Sequence, residues 1–150
     1  MPEDEIIERA REDEREGKSP STQAGEFVRE EMEHIREGEH GARSAQQAIA
    51  IGLSKARRAG VKLPRPKRGK ASARTRKQAK RDLAKGRKGR RKKPSRKRSR
   101  ATRRALKREG RSAASRKALS RQARSAARRR SAASRSRAAK KAARTRKKRG

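Results

Sequence analysis

From Arg65 to Gly150 the chain carries 41 Lys and Arg against two acids, Asp82 and Glu109. A segment with that excess of one charge repels itself. It has only Leu83, Leu106 and Leu119 as large apolar residues to set against the repulsion. Such a composition stays solvated until a polyanion neutralises it. The rest of the 150-residue chain adds eleven more large apolar residues beyond Met1. Fourteen side chains of this kind do not fill one core for 150 residues. The expected fold is mostly α: a small helix–loop–helix hairpin followed by a long, intrinsically disordered basic tail that becomes helical on binding.

Charge and proline divide the chain into three parts. Residues 1–40 hold 14 acids and six Lys/Arg, and residues 41–64 hold five Lys/Arg and no acid. Residues 1–18 read as an acidic leader, a frayed helix or disordered. The pairs Glu5/Arg9 and Glu14/Lys18 support such a helix at i,i+4, and only Ile6, Ile7 and Ala10 are available to pack. Residues 19–64 read as the hairpin. Residues 65–150 read as a basic low-complexity tail, and Pro64 and Pro66 mark its start.

The hairpin has local start and stop signals. Ser19 or Ser21 caps the first helix, with Pro20 at its first position, and Gly38 ends it. Ser44 and Gln47 form a capping box for the second helix, and Gly60 supplies its C-terminal stop. Val28, Met32 and Ile35 recur at helical spacing, with Phe27 beside them. Ala45, Ala48, Ile49, Gly52, Leu53 and Ala56 share one face of the second helix. Small residues at 45, 48, 52 and 56 admit a closely packed partner helix. Phe27, Val28, Met32, Ile35, Ile49, Leu53 and Val61 are the expected packing set. They are few for a free-standing hairpin, so a homodimer through 19–64, or folding aided by a ligand, is expected.

The run from Ser21 to Pro64 resembles a small bacterial domain family of uncharacterised function. Its mark is the block from Gln47 to Gly60, QAIAIGLSKARRAG. The resemblance implies a compact helical module attached to basic sequence, and no known reaction. Separately, the tail is similar in composition to the Ala/Lys/Arg-rich tails of bacterial linker-histone-like proteins.

The tail is built for phosphate. Every Lys or Arg placed beside a backbone phosphate releases a condensed counterion, so affinity grows with charge number and needs little fixed shape. Arg adds bidentate phosphate contacts. The expected nucleic-acid contacts begin with Arg65, Lys67, Arg68, Lys70, Arg74, Arg76, Lys77 and Arg87. They continue through Arg90, Arg91, Lys92, Lys93, Arg96, Lys97, Arg98, Arg103 and Arg104. The C-terminal group is Arg128, Arg129, Arg130, Lys140, Lys141, Arg144, Arg146, Lys147, Lys148 and Arg149. On a polyanion, stretches around 71–85, 99–109 and 112–149 are expected to become helical, with breaks at Gly86, Gly89, Pro94 and Gly110. The chain has no Asn, Trp or Tyr, and the tail has no Phe. Base-edge reading and single-strand stacking are therefore poorly served. Pro66-Lys67-Arg68-Gly69-Lys70 resembles an AT-hook core, with Lys70 and Ala71 where that element has Arg and Pro. Plain phosphate contact is the simpler reading of that stretch.

Other chemistry lacks its residues. There is no cysteine, no Gly-x4-Gly-Lys-Ser/Thr loop and no Gly-x-Ser-x-Gly elbow, so no enzyme is expected. His34 and His40 lie near Glu33, Glu37 and Glu39, but Gly38 separates the histidines in sequence. A solvated surface is the simpler reading there, and no metal or other cofactor is expected. The acidic start and the lack of an apolar span predict a cytoplasmic, nucleoid-associated chain with no membrane partner. The expected function is sequence-tolerant binding and compaction of duplex DNA by charge neutralisation. The alternatives are an RNA- or ribosome-associated protein, or a protein-interaction module at 19–64 tethered by the tail. The acidic residues 1–40 offer an internal competitor for the tail.

Overall fold

The computed structural model describes residues 2–89, 93 and 95–149. All regular elements among them are helices: α1 (Pro2–Arg15), α2 (Pro20–Glu37), α3 (Ala45–Arg58), α4 (Ala73–Lys88), α5 (Arg96–Arg108), a 3-10 turn (Ser112–Ala114), α6 (Arg116–Arg128) and α7 (Ala132–Arg149). The chain divides into two compact units, Met1–Ser115 and Arg116–Gly150.

Local chemistry starts and stops the central hairpin. Ser19 Oγ accepts from Thr22 N at 3.4 Å with Pro20 in the first turn, and Gly38 ends α2 in the left-handed conformation at φ +84°. Ser44 Oγ accepts from Gln47 N at 3.2 Å. The Gln47 side chain reaches one residue further back than a standard box and accepts from Arg43 N at 2.7 Å. At the far end of α3, Gly60 adopts φ +106° and Val61 N donates to Ala56 O at 3.1 Å. That bond brings Val61 back onto the core.

The small-residue face of α3 meets α2. Ala45, Ala48, Gly52 and Ala56 are all buried. A methyl group on Gly52 would stand 2.7 Å from Val28 Cα. The helices are thus as close as their backbones allow, and the obstacle is main chain that cannot rotate away. Gly52→Ala is expected to destabilise the first unit by about 1–3 kcal/mol, read as a lower urea midpoint. An unchanged midpoint would mean that the two helices are further apart than described.

Of the expected packing set, Phe27, Met32, Ile35 and Val61 are buried, while Val28, Ile49 and Leu53 are half-buried. The cover over the hairpin comes from the same chain. Ile6 and Ala10 of α1 join Ala24, Phe27, Ala56 and Val61 in one apolar cluster. The acidic leader is therefore a docked helix whose apolar stripe faces α2, with Asp4, Glu5, Glu8, Glu12 and Glu14 exposed to water. Its charge pairs differ from the i,i+4 pattern. Lys18 lies 2.6 Å from both Asp13 and Glu16, hydrogen bonds that push its pKa above the ordinary lysine value. Glu14 instead pairs with Lys62 at 3.2 Å.

The basic segment corrects the expectation of an intrinsically disordered tail: its described residues are largely helical. Two forces offset the repulsion. The first is packing. Ala79, Asp82 and Gly86 of α4 lie at i, i+3, i+7 and face α3, and a Cβ on Gly86 would collide with the carbonyl of Arg57. At the end of α5 and just beyond it, Gly41 N donates to Leu106 O (2.9 Å) and Ala42 N to Gly110 O (3.1 Å). Ala113 and Ala114 are buried, and Arg36 Nε donates to Ala114 O at 3.0 Å. The second force is intrinsic preference, since Ala, Arg, Lys and Leu are strong helix formers. It acts in α5, α6 and α7, none of which has a buried residue. Serine caps assist: Ser72 for α4, Ser95 for α5 and Ser131 for α7. Gly86 lies inside α4 instead of breaking it, Gly89 ends that helix, and Pro94 lies outside the described residues.

Candidate nucleic-acid interface

Helical periodicity sorts the basic residues of the first unit. On α4 the inward positions go to Ala79, Asp82 and Gly86, so most of the cations turn outward. Arg74, Lys77 and Arg87 are exposed and Arg76 is half-buried. Asp82, one of the two acids after residue 64, is 1% exposed. Gln78 Nε2 donates to its Oδ1 at 3.1 Å, and Arg58 Nε lies 3.9 Å from the same oxygen. Its carboxylate is turned into the fold, so the outer surface of α4 is cationic.

Arg57 works as a structural cation. It is buried, and donates from Nε to Leu63 O (3.3 Å) and from Nη2 to Pro64 O (3.2 Å). Burial lowers its pKa and the nearby Asp82 carboxylate opposes that shift. It pins the chain where the basic sequence begins. Beyond it, Arg65, Lys67, Arg68 and Lys70 are exposed. Lys70 N donates to Lys67 O at 3.1 Å and Gly69 has φ +82°, so the stretch resembling an AT-hook core contains a turn.

Lys93, Arg96, Lys97, Arg98, Arg103 and Arg104 are exposed. Arg90, Arg91 and Lys92 lie outside the described residues. In the second unit Arg128, Arg129, Arg130, Lys140, Lys141, Arg144, Arg146, Lys147, Lys148 and Arg149 are all exposed. That unit has 16 Lys and Arg and no acid. Arg121, Arg124, Ser125, Arg128 and Arg129 line an open groove along α6. Arg121 and Arg124 were not singled out from sequence. Their signal is the i, i+3, i+7 spacing with Arg128, which sets three guanidinium groups along about 10 Å of one helix face.

A second polar cluster lies on α2. Glu31 is buried between His40 and Lys55, and the turn at Gly38 brings His34 and His40 together, with ring centroids 6.3 Å apart. Glu33, Glu37 and Glu39 are exposed. The sequence does carry a signal for Glu31: Gln23, Phe27, Glu31 and Ile35 form one i, i+4 row, which places a carboxylate on the buried stripe.

These features define a small helical protein whose expected nucleic-acid contacts, where described, face solvent in all but one case. Residues 19–68, spanning α2, α3 and the stretch to Arg68, match a family of unknown function (DUF6496), so this part of the chain is an uncharacterised helical domain. No curated protein and no solved structure matches the chain. Among the described residues no helix is long and apolar enough to cross a membrane.

Proposed function

We propose that the chain binds and compacts duplex DNA with little regard to sequence, as a nucleoid-associated protein of the bacterial linker-histone-like kind. The supporting observation is the fate of charge after residue 64. Of its two acids, Asp82 is buried, while the described Lys and Arg singled out there, Arg76 apart, are exposed, most of them on helices. Preformed helices hold their cations at fixed spacing, which lowers the ordering cost of binding relative to a coil. A helix also fits the major groove while its basic residues reach the flanking phosphates. Competition between a 30-base-pair duplex and a folded RNA at matched phosphate tests the choice of nucleic acid. Preference for the duplex is expected, and preference for the RNA would assign the protein to RNA.

The acidic helix α1 supplies an internal competitor. Asp4, Glu5 and Glu12 are exposed, so neutralising them leaves the core contacts of Ile6 and Ala10 in place. The triple variant Asp4→Asn, Glu5→Gln, Glu12→Gln is expected to bind duplex several-fold more tightly at low salt, with the gain fading as salt screens it. Equal affinity at low salt would reduce α1 to a solubilising and packing element.

A further inference from the structure

Glu31 is 1% exposed, and each of its oxygens meets a nitrogen. His40 Nε2 lies 2.8 Å from Oε1, and Lys55 Nζ lies 2.8 Å from Oε2. The other ring nitrogen of His40, Nδ1, is 3.0 Å from the carbonyl oxygen of Gly41. A carbonyl only accepts, so Nδ1 carries a hydrogen. In the neutral ring this leaves Nε2 with a lone pair aimed at a carboxylate oxygen. Two electron pairs at that separation call for a cation. His34 stands one helical turn beyond Glu31 on α2, with its ring edge-on to that of His40 at 74°. The ligand atoms of Glu31, His34 and His40 all lie within 4.8 Å of one another.

We propose that Glu31, His34 and His40 form a site for a first-row divalent cation, with Zn2+ the best fit. Imidazole nitrogen and carboxylate oxygen are the donors that Zn2+ takes, and three protein ligands leave one position for water. Glu31 and His34 are related by i, i+3, a spacing that aims a carboxylate and an imidazole from one helix at one ion. The outer contacts are those a metal site uses. Lys55 Nζ stands beside the second oxygen of Glu31 as a balancing charge, and the Gly41 carbonyl fixes the His40 tautomer that leaves Nε2 free to bind. Bound metal ties α2 to the 38–44 loop. Gly41 and Ala42 of that loop seat the end of α5, so the ion stabilises the whole first unit.

The test uses the untagged full chain, freed of nucleic acid and stripped with chelator. It is titrated with Zn2+ by calorimetry and with Co2+ by visible absorption. The expected result is one saturable equivalent, a raised melting temperature with Zn2+, and Co2+ bands of a low-coordinate nitrogen/oxygen site. His34→Gln and His40→Gln are each expected to weaken Zn2+ about tenfold or more, with helicity in the metal-free state unchanged. If His40→Gln does not fold, His34→Gln decides, because its nearest charge partners are only within 3.7 and 3.8 Å. No saturable uptake by the wild type would overturn the site. Wild-type affinity in the folded histidine variants would overturn it equally.

Discussion

Doubling the monovalent salt is expected to weaken duplex binding by the full-length chain by roughly 10^4- to 10^5-fold. The size follows from counterion release. If about 15–20 phosphates are neutralised on a duplex of about 30 base pairs, the log–log slope is about −13 to −18. The chain has the charge for this, with 41 Lys and Arg after residue 64 and only Glu109 and the buried Asp82 to oppose them. Helical structure sets the upper limit. A helix shows one face to a duplex at a time, so cations on its far side stay hydrated and release nothing. A slope near −5 would mean that only one or two helices touch DNA. A slope near zero would remove counterion release as the source of affinity, and with it the proposed function.

The second large effect concerns the fold. Ile35 is fully buried and is among the largest of the fully buried side chains of the described residues. Ile35→Ala removes its outer carbons and leaves a cavity beneath α2, at a cost of about 2–5 kcal/mol. For a unit of this size that amounts to a fall in melting temperature of about 10 °C or more. Leu119→Ala is the control. Leu119 is half-buried on α6, in the other compact unit, and its loss should leave the melting of Met1–Ser115 unchanged. Equal melting of the Ile35 variant and the wild type would show that the first unit lacks a cooperative core.

Much of the hairpin was legible because its determinants are local. Ser19, Pro20, Gly38, Ser44, Gln47 and Gly60 act within a few residues of themselves, and the helix ends fall where they stand. The small face at 45, 48, 52 and 56 announced a close neighbour, which proved to be α2. What stayed hidden was long-range or polar. Nothing near Asp82 in sequence shows that Arg58 waits across the α3–α4 contact, or that Gly86 must clear the Arg57 carbonyl. The charge sum of the tail predicts a solvated coil. That sum ignores the way a helix spreads charge around its axis and turns alanines inward at 79, 113 and 114. The meeting of the two histidines is hidden for a related reason. In the sequence Gly38 only separates them, whereas a left-handed residue at a helix end reverses the chain and returns His40 to the face of α2.

The division of the chain at Ser115 and Arg116 gives the proposed DNA binding a valency of two. A single cationic body coats a duplex and stops there. Two bodies on one chain make the second contact intramolecular, at an effective concentration of order millimolar. Where DNA is in excess, the two bodies of one molecule engage separate segments and draw them together. Where protein is in excess, every segment is occupied by one body from a different molecule, and the cross-links dissolve. The protein-to-DNA ratio, more than affinity, then governs whether the chain condenses DNA or merely sheathes it.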